Sequence, residues 1–292
     1  MSGMKNFSIQ ELARLSGLKA HTLRVWEIRH AVVSPQRGLG NNRYYSVDEM
    51  EKLLLLALIS HSGQRISTLS QLSLLQLKQR ADGLKSEGSR QQKAVHSLII
   101  SMYRLDTESF EAVLNDCFLG WPSGTVVKAV IYPFLHKVDL LYRGRRTNEE
   151  HLAVTAIRQK LHWSLERLDV VPKKKKAIWL FLPKDTQLDL LLLYLCFVLK
   201  ETGRRVLYLG ADVSIQNLED LFSGKKADYL LTYLPEKHRF SLPHLSEVMG
   251  RFLPQAKLLV VTTNASQAQE PAESNVSQVE LDEALSFLNR LE

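Results

Sequence analysis

Two groups of side chains between Ser8 and Tyr45 have the types and spacing to bond phosphates and base edges. His21, Thr22, Arg24, Val25 and Arg29 fall toward the outer side of a short helical stretch, because Leu23 and Trp26 recur at i, i+3 and mark the inner side. Arg37, Asn42, Arg43 and Tyr45 fall in the basic segment P-Q-R-G-L-G-N-N-R-Y-Y, whose Gly38, Gly40, Asn41 and Asn42 supply the positive φ of a tight hairpin. Arginine neutralises phosphate, and the affinity it supplies is salt-dependent and blind to sequence. Reading a base sequence needs further groups carried to groove edges by a rigid element. A helix for the major groove and a hairpin wing pressed on the backbone divide the work in that way. Arg43, among small turn residues, is the side chain expected near the minor groove or its phosphates. A plainer reading pairs Arg24 with Glu27 on the helix surface and places Tyr44 and Tyr45 in the core.

Holding those side chains requires a scaffold. Ile9, Leu12, Ala13 and Leu15 give a first helix its apolar face, ended by Gly17 at a C-cap-like position. The second helix carries Leu23 and Trp26, and Pro35 closes its region. Asp48 to Ser60 reads as a third helix, Gly63 breaks it, and Ile66, Leu69 and Leu72 begin a short fourth. This block, residues 1–76, reads as a winged helix-turn-helix. Residues 77–92 are polar, with two glycines, and read as a linker, though their Lys, Arg, Gln and Glu also suit a helix.

Residues 93–172 show four helical patterns, Ala94–Leu105, Thr107–Leu119, Thr125–Tyr142 and Asn148–Leu168, with short breaks that imply an antiparallel four-helix bundle. In residues 173–292 the strand-length apolar runs Ala177–Leu182, Arg205–Leu209, Tyr229–Tyr233 and Leu258–Thr262 alternate with helical patterns. Such alternation implies a flavodoxin-like parallel α/β sheet covered on both faces. Ala265 to Ser277 reads as a surface loop before a last helix at Glu280–Leu291.

The totals agree with a multidomain α and α/β chain. Its 292 residues exceed one ordinary core, and a formal charge of +7 with pI near 9.3 favours a polyanionic partner. Cys117 and Cys196 are the two cysteines, too few for a disulfide framework or a cysteine metal cluster. Met1 to Phe7 lacks the apolar core of a signal peptide. The longest apolar run, Leu190 to Leu199, is far short of the roughly 20 residues that span a bilayer. The expectation is a cytoplasmic bacterial protein with no membrane association.

The N-terminal residues resemble the winged helix-turn-helix of the MerR family. H-T-L-R-V-W-E-I-R-H matches its recognition helix, R-G-L-G-N-N-R-Y-Y its wing, and G-Q-R-I-S-T-L the turn that follows. W-E in place of two aromatics points to the branch that includes light-responsive cobalamin repressors. L-L-Y-R-G-R-R-T-N-E-E-H-L and V-L-Y-L-G-A-D-V extend the resemblance into that branch's cobalamin-binding region. It implies a transcriptional regulator on double-stranded promoter DNA, as a homodimer or higher homo-oligomer with two reading heads on an inverted repeat.

The same resemblance marks what is missing. The branch carries a cobalt-ligating histidine in a Glu-x-His-x-x-Gly pattern before the first helix of the sheet domain. Here P-K-D-T-Q-L-D-L places Asp185, Gln187 and Leu190 at the glutamate, histidine and glycine positions, and no histidine lies between His162 and His238. Thr186 with Asp189 reads instead as a helix cap. Leu141 or Tyr142 stands where a bundle tryptophan is expected, and Thr262-Thr263-Asn264 replaces a glycine pair. Glu150-His151 survives and, with Tyr142, makes up the candidate cofactor residues; the alternative is that Thr147 and Glu150 form a capping box and His151 packs or faces solvent.

The expected cofactor is therefore none, with adenosylcobalamin disfavoured. Rival readings are a functional cobalamin or other small-ligand sensor, a cobalamin-dependent enzyme module, and a sensor domain that docks an antirepressor protein. Lys173–Lys176 reads as a solvated turn rather than a phosphate site, and Gly210-Ala211 is no dinucleotide fingerprint. No metal-ligand spacing and no catalytic motif is present, so the chain reads as a regulator rather than an enzyme.

Overall fold

Three serine capping boxes set where helices begin in the N-terminal part of the chain. The computed structural model describes residues 6–37, 43–140, 147–184, 189–234, 240–262 and 275–290. Ser8 caps α1 (Ile9–Ser16), Ser46 caps α3 (Val47–His61) and Ser73 caps α5 (Leu74–Asp82), each with Glu11, Glu49 or Gln76 returning the bond three residues on. Between them lie α2 (Ala20–His30), the antiparallel pair β1 (Gln36–Arg37) and β2 (Arg43–Tyr44), and the single turn α4 (Ile66–Leu69). Gly17 ends α1 at φ 77°, the left-handed geometry that glycine adopts without strain. In α3 an apolar run from Leu53 to Ile59 is wholly buried, which makes this helix the centre of the block.

The polar stretch 77–92, expected as a linker, is mostly helix. Leu77 to Asp82 completes α5, and Glu87 opens α6 (Glu87–Tyr103). Next come α7 (Thr107–Gly120), α8 (Ser123–Val126), a π-turn over Val127–Ile131 and α9 (Tyr132–Lys137). Pro133 has no N–H for the carbonyl one turn back, and the widened turn just before it is where the helix absorbs that loss. The helix ends at Lys137, short of the expected Tyr142: Asp139 takes φ 60° and Leu140 N–H returns to the Leu135 carbonyl, a Schellman-type stop.

The described residues divide into two compact units within α10 (Asn148–Glu166), the first reaching Ala156 and the second starting at Ile157. The second unit is a five-stranded parallel sheet of β3 (Ala177–Pro183), β4 (Arg205–Val213), β5 (Tyr229–Tyr233), β6 (Lys257–Val261) and β7 (Val276–Val279). Its order, β4-β3-β5-β6-β7, is 2-1-3-4-5 counted from the first strand, the flavodoxin-like arrangement. α11 (Asp189–Glu201) and α14 (Leu281–Arg290) pack together on the sheet. α12 (Ile215–Phe222) and α13 (Leu242–Phe252) pack together over a core that includes Trp179, Phe181, Leu230 and Leu258.

Two expectations are corrected in this unit. Val276–Val279 is a strand and not part of a loop; it pairs with β6 at the sheet's edge, where a short V-S-Q-V suffices. β4 runs on to Val213 through a bulge at Leu209, and Gly210 at φ 85° and Asp212 at φ 64° bend it. Every residue from Leu190 to Leu199 is buried in α11, and among the described residues no helix is long and apolar enough to cross a membrane.

The end of α2 carries a testable strain. Ala31 closes it at φ 47°, a conformation that disfavours a Cβ by about 1–2 kcal/mol. Ala31→Gly removes that cost and restores part of it as chain entropy. The net expectation is a gain of up to about 1 kcal/mol, read as a higher denaturation midpoint; a lower midpoint refutes the strain.

Candidate nucleic-acid interface

Leu23 and Trp26 are buried and turn the opposite side of α2 outward. His21, Arg24 and Arg29 are exposed there, with Thr22 and Val25 half-buried beside them. Ile28 is 76% exposed one turn beyond Arg24, an apolar side chain left in water on the same surface. Among the described residues, Arg24 and Arg29 make no ion pair. α2 also lacks the caps of its neighbours: Lys19 occupies the N-cap without a side-chain bond, and the first turn holds no acid. Its leading N–H groups and positive dipole end therefore stay available to an anion.

The wing is tied to α2 through one carboxylate. Glu27 accepts a 2.6 Å hydrogen bond from the Tyr45 hydroxyl and pairs with Arg43 Nε at 3.2 Å. Arg24, the partner expected by helical spacing, is not the one Glu27 takes. Arg43 keeps a side chain 44% exposed while so anchored. Tyr45, expected to touch DNA, is fully buried, and its backbone exchanges two 2.9 Å bonds with Phe7. Its place is the core because aromatic area there outweighs a surface role, and Glu27 satisfies the phenol. Burial first, then the bond to Glu27, pushes the Tyr45 phenol up, so it keeps its proton as donor. Glu49, the capping partner of Ser46, also accepts from Ser34 N–H at 2.7 Å and holds the approach to the wing against α3.

Arg37 lies in β1, paired with Arg43; Asn42 lies outside the described residues. Of the expected set, the structure brings His21, Thr22, Arg24, Val25 and Arg29 onto one helix with Arg43 attached to it. Sequence reasoning missed the Glu27 bridge and the exposed Ile28. Trp-Glu at 26–27 marks only a buried and a half-buried position, and gives no sign of a partner far along the chain.

The candidate cofactor residues separate. Glu150 is buried and caps α10: its carboxylate accepts from Thr147 N–H at 2.8 Å. His151 is exposed on the next residue. Tyr142 and Gln187 lie outside the described residues. At the carboxyl edge of the sheet, Asp189 pairs with Arg158, and Leu190, at the position expected for a glycine, is fully buried. Among the described residues no group of three or more His, Cys, Asp or Glu could hold a metal ion. Burial pushes the Cys117 and Cys196 thiols up to about 11, which leaves both protonated near neutral pH.

Residues 7–73 match the family described as MerR HTH family regulatory protein. The HTH-type transcriptional repressor CarA of Myxococcus xanthus is 30% identical over 213 residues, 72% of this chain and 70% of that protein. The HTH-type transcriptional repressor CarH of the same organism is 23% identical over 267 residues, 86% of this chain and 87% of that one. Among solved structures, the monomethylamine corrinoid protein of Methanosarcina barkeri is similar with a TM-score of 0.50 at 13% identity, over 68% of this chain and 98% of that chain. That last likeness is one of fold.

The Glu27 bridge has a measurable strength. Tyr45→Phe deletes a buried bond to a charged acceptor and costs about 1–3 kcal/mol of stability. A lowered denaturation midpoint measures it, and an unchanged midpoint shows the bond to be idle.

Proposed function

We propose, for a chain that belongs to the MerR family of transcriptional regulators, that it reads double-stranded promoter DNA through α2 and the wing. His21, Thr22, Arg24 and Val25 reach the major groove, Arg29 contacts the backbone, and Arg37, Asn42 and Arg43 press the wing on flanking phosphates. The observation that carries this reading is the exposed cationic face of α2, where Arg24 and Arg29 make no ion pair among the described residues, headed by an N-terminus without a side-chain cap. Tyr45 serves as anchor, not contact. Two heads of a homodimer meet an inverted repeat, as a two-fold protein requires.

The division of labour is residues 1–76 for reading, 93–172 as bundle and 173–292 as the cobalamin-binding-like sensor, joined through 77–92. We infer that this sensor half holds no cobalamin through a histidine ligand. Gln187 at the ligand position, buried Leu190 in place of glycine, Asp189 engaged by Arg158 and Glu150 engaged in a cap support that reading. An antirepressor protein is then a fitting effector for the sensor half.

Three outcomes are expected. After selection of a preferred duplex from random sequence, Arg24→Ala and Arg43→Ala each weaken binding by about 1–3 kcal/mol, and a phosphate contact also lowers the salt slope by about one. Unchanged affinity and slope in both variants overturn the reading. Glu27→Ala also weakens binding although it removes a negative charge near the phosphates, because a loosened wing loses more than the charge change returns. Adenosylcobalamin added in the dark leaves the absorbance and oligomer size of the purified protein unchanged on illumination. A pink, light-sensitive complex refutes the loss of the ligand site.

A further inference from the structure

At the amino edge of the sheet, β3, β4 and the turn before β5 enclose a groove of about 540 Å³. This is the end opposite the carboxyl edge, where open α/β sheets commonly take their ligands. Lys175, Arg205, Lys225 and Lys226 line the groove, and Asp228 is the one carboxylate among them. The run Lys173–Lys176 by itself reads as a solvated turn. The fold brings to it cations from two further segments, the first residue of β4 and the turn after α12.

The backbone that carries these side chains is pinned. Lys173 and Lys174 N–H both donate to the Gly203 carbonyl, at 3.0 and 3.3 Å, and Lys225 N–H donates to the Leu221 carbonyl at 3.1 Å. Asp228 is committed to the sheet: its N–H donates to the Ala177 carbonyl at 2.9 Å, and its carboxylate accepts from Ala177 N–H at 2.7 Å. The four cations are exposed, and among the described residues they make no ion pair. Like charges gathered round one concavity repel, and a polyanion seated there relieves the repulsion.

Charge is not the whole lining. Val206 and Leu207 of β4 are half-buried and form an apolar wall, with Trp179 beneath them. β4 is the edge strand, so among the described residues no further strand covers that wall. A bare phosphate ion meets the cations and leaves the wall in water. A duplex backbone does the same, because its bases are turned inward.

We propose that this groove binds a nucleoside di- or triphosphate, with the phosphates on Lys175, Arg205, Lys225 and Lys226 and the base against Val206 and Leu207. Its several negative charges match the excess of cations over the single carboxylate, and the volume lies in the range of small-molecule sites. The guanidinium fork takes phosphate oxygens in pairs, and each lysine adds a point charge. The site is independent of the DNA-reading proposal.

Titrating the full chain with N-methylanthraniloyl-ATP, without divalent cations, gives a saturable anisotropy signal at one probe per chain. The double variant Lys225→Ala, Lys226→Ala weakens the probe at least about tenfold, and ATP raises the melting temperature of the unaltered protein but not of this variant. Lys175→Ala and Arg205→Gln each weaken the probe several-fold, and they carry the test if the double variant fails to fold. Arg24→Ala, on the reading head, leaves the probe unchanged. Unlabelled ATP displaces the probe at lower concentration than inorganic tripolyphosphate. An unsaturable signal, equal affinity in the folded double variant, or loss of binding in Arg24→Ala overturns the site. Tripolyphosphate displacing as well as ATP overturns the seat of the base on the apolar wall. A double variant that weakens duplex binding and spares the nucleotide assigns the edge to a nucleic-acid backbone and overturns the proposal.

Discussion

The arrangement of the reading head depends on the carboxylate of Glu27. It is 12% exposed, a burial that an unpaired carboxylate would resist, and it is compensated by a phenol donor on one oxygen and a guanidinium on the other. Both partners come from the wing side of the hairpin, so one side chain of α2 fixes where β2 can lie. Tyr45 then passes the constraint inward. Its backbone pairs with Phe7, and the Phe7 ring meets Tyr103 of α6 edge-on at 4.8 Å. Lys137 adds a second tie, donating to the Leu15 carbonyl at the end of α1 at 2.7 Å. The head is thereby built into the first unit and not hung from it.

What was legible in the sequence was what is decided locally. The Thr147–Glu150 capping box and the stop at Gly17 could be read because those bonds close within one turn. The order of strands and helices in the second unit followed from apolar runs of strand length. What escaped was decided at a distance. Val276–Val279 is a strand because β6 offers it a ladder, and its own residues carry little apolar signal. Tyr45 looked like a contact because its neighbours are basic and turn-forming, while its burial is set by Phe7 and Glu27. The Arg24–Glu27 pairing expected from helical spacing lost to a partner brought in by the hairpin. The pattern Thr125–Tyr142 carried a helix through Pro133, but gave no sign that the turn before the proline would widen or that the helix would stop at Lys137.

In the second unit the fold and a ligand site make separate demands on the chain. The sheet needs buried runs in β3, β5 and β6, and it has them. Similarity of fold at 13% identity therefore speaks to architecture and not to cargo.

The first turn of α3 has a mechanical meaning. Asp48 and Glu51 are gripped by Arg104, while Glu49 between them holds the Ser46 cap and Ser34. Bundle and wing therefore grasp the same few ångströms of backbone. No long arm separates input from output, so a nudge arrives at the wing neither magnified nor damped, and hydrogen bonds of normal length tolerate only a few tenths of an ångström before they weaken. The head behaves less like a lever than like a shared rivet, whose slightest shift both plates feel at once.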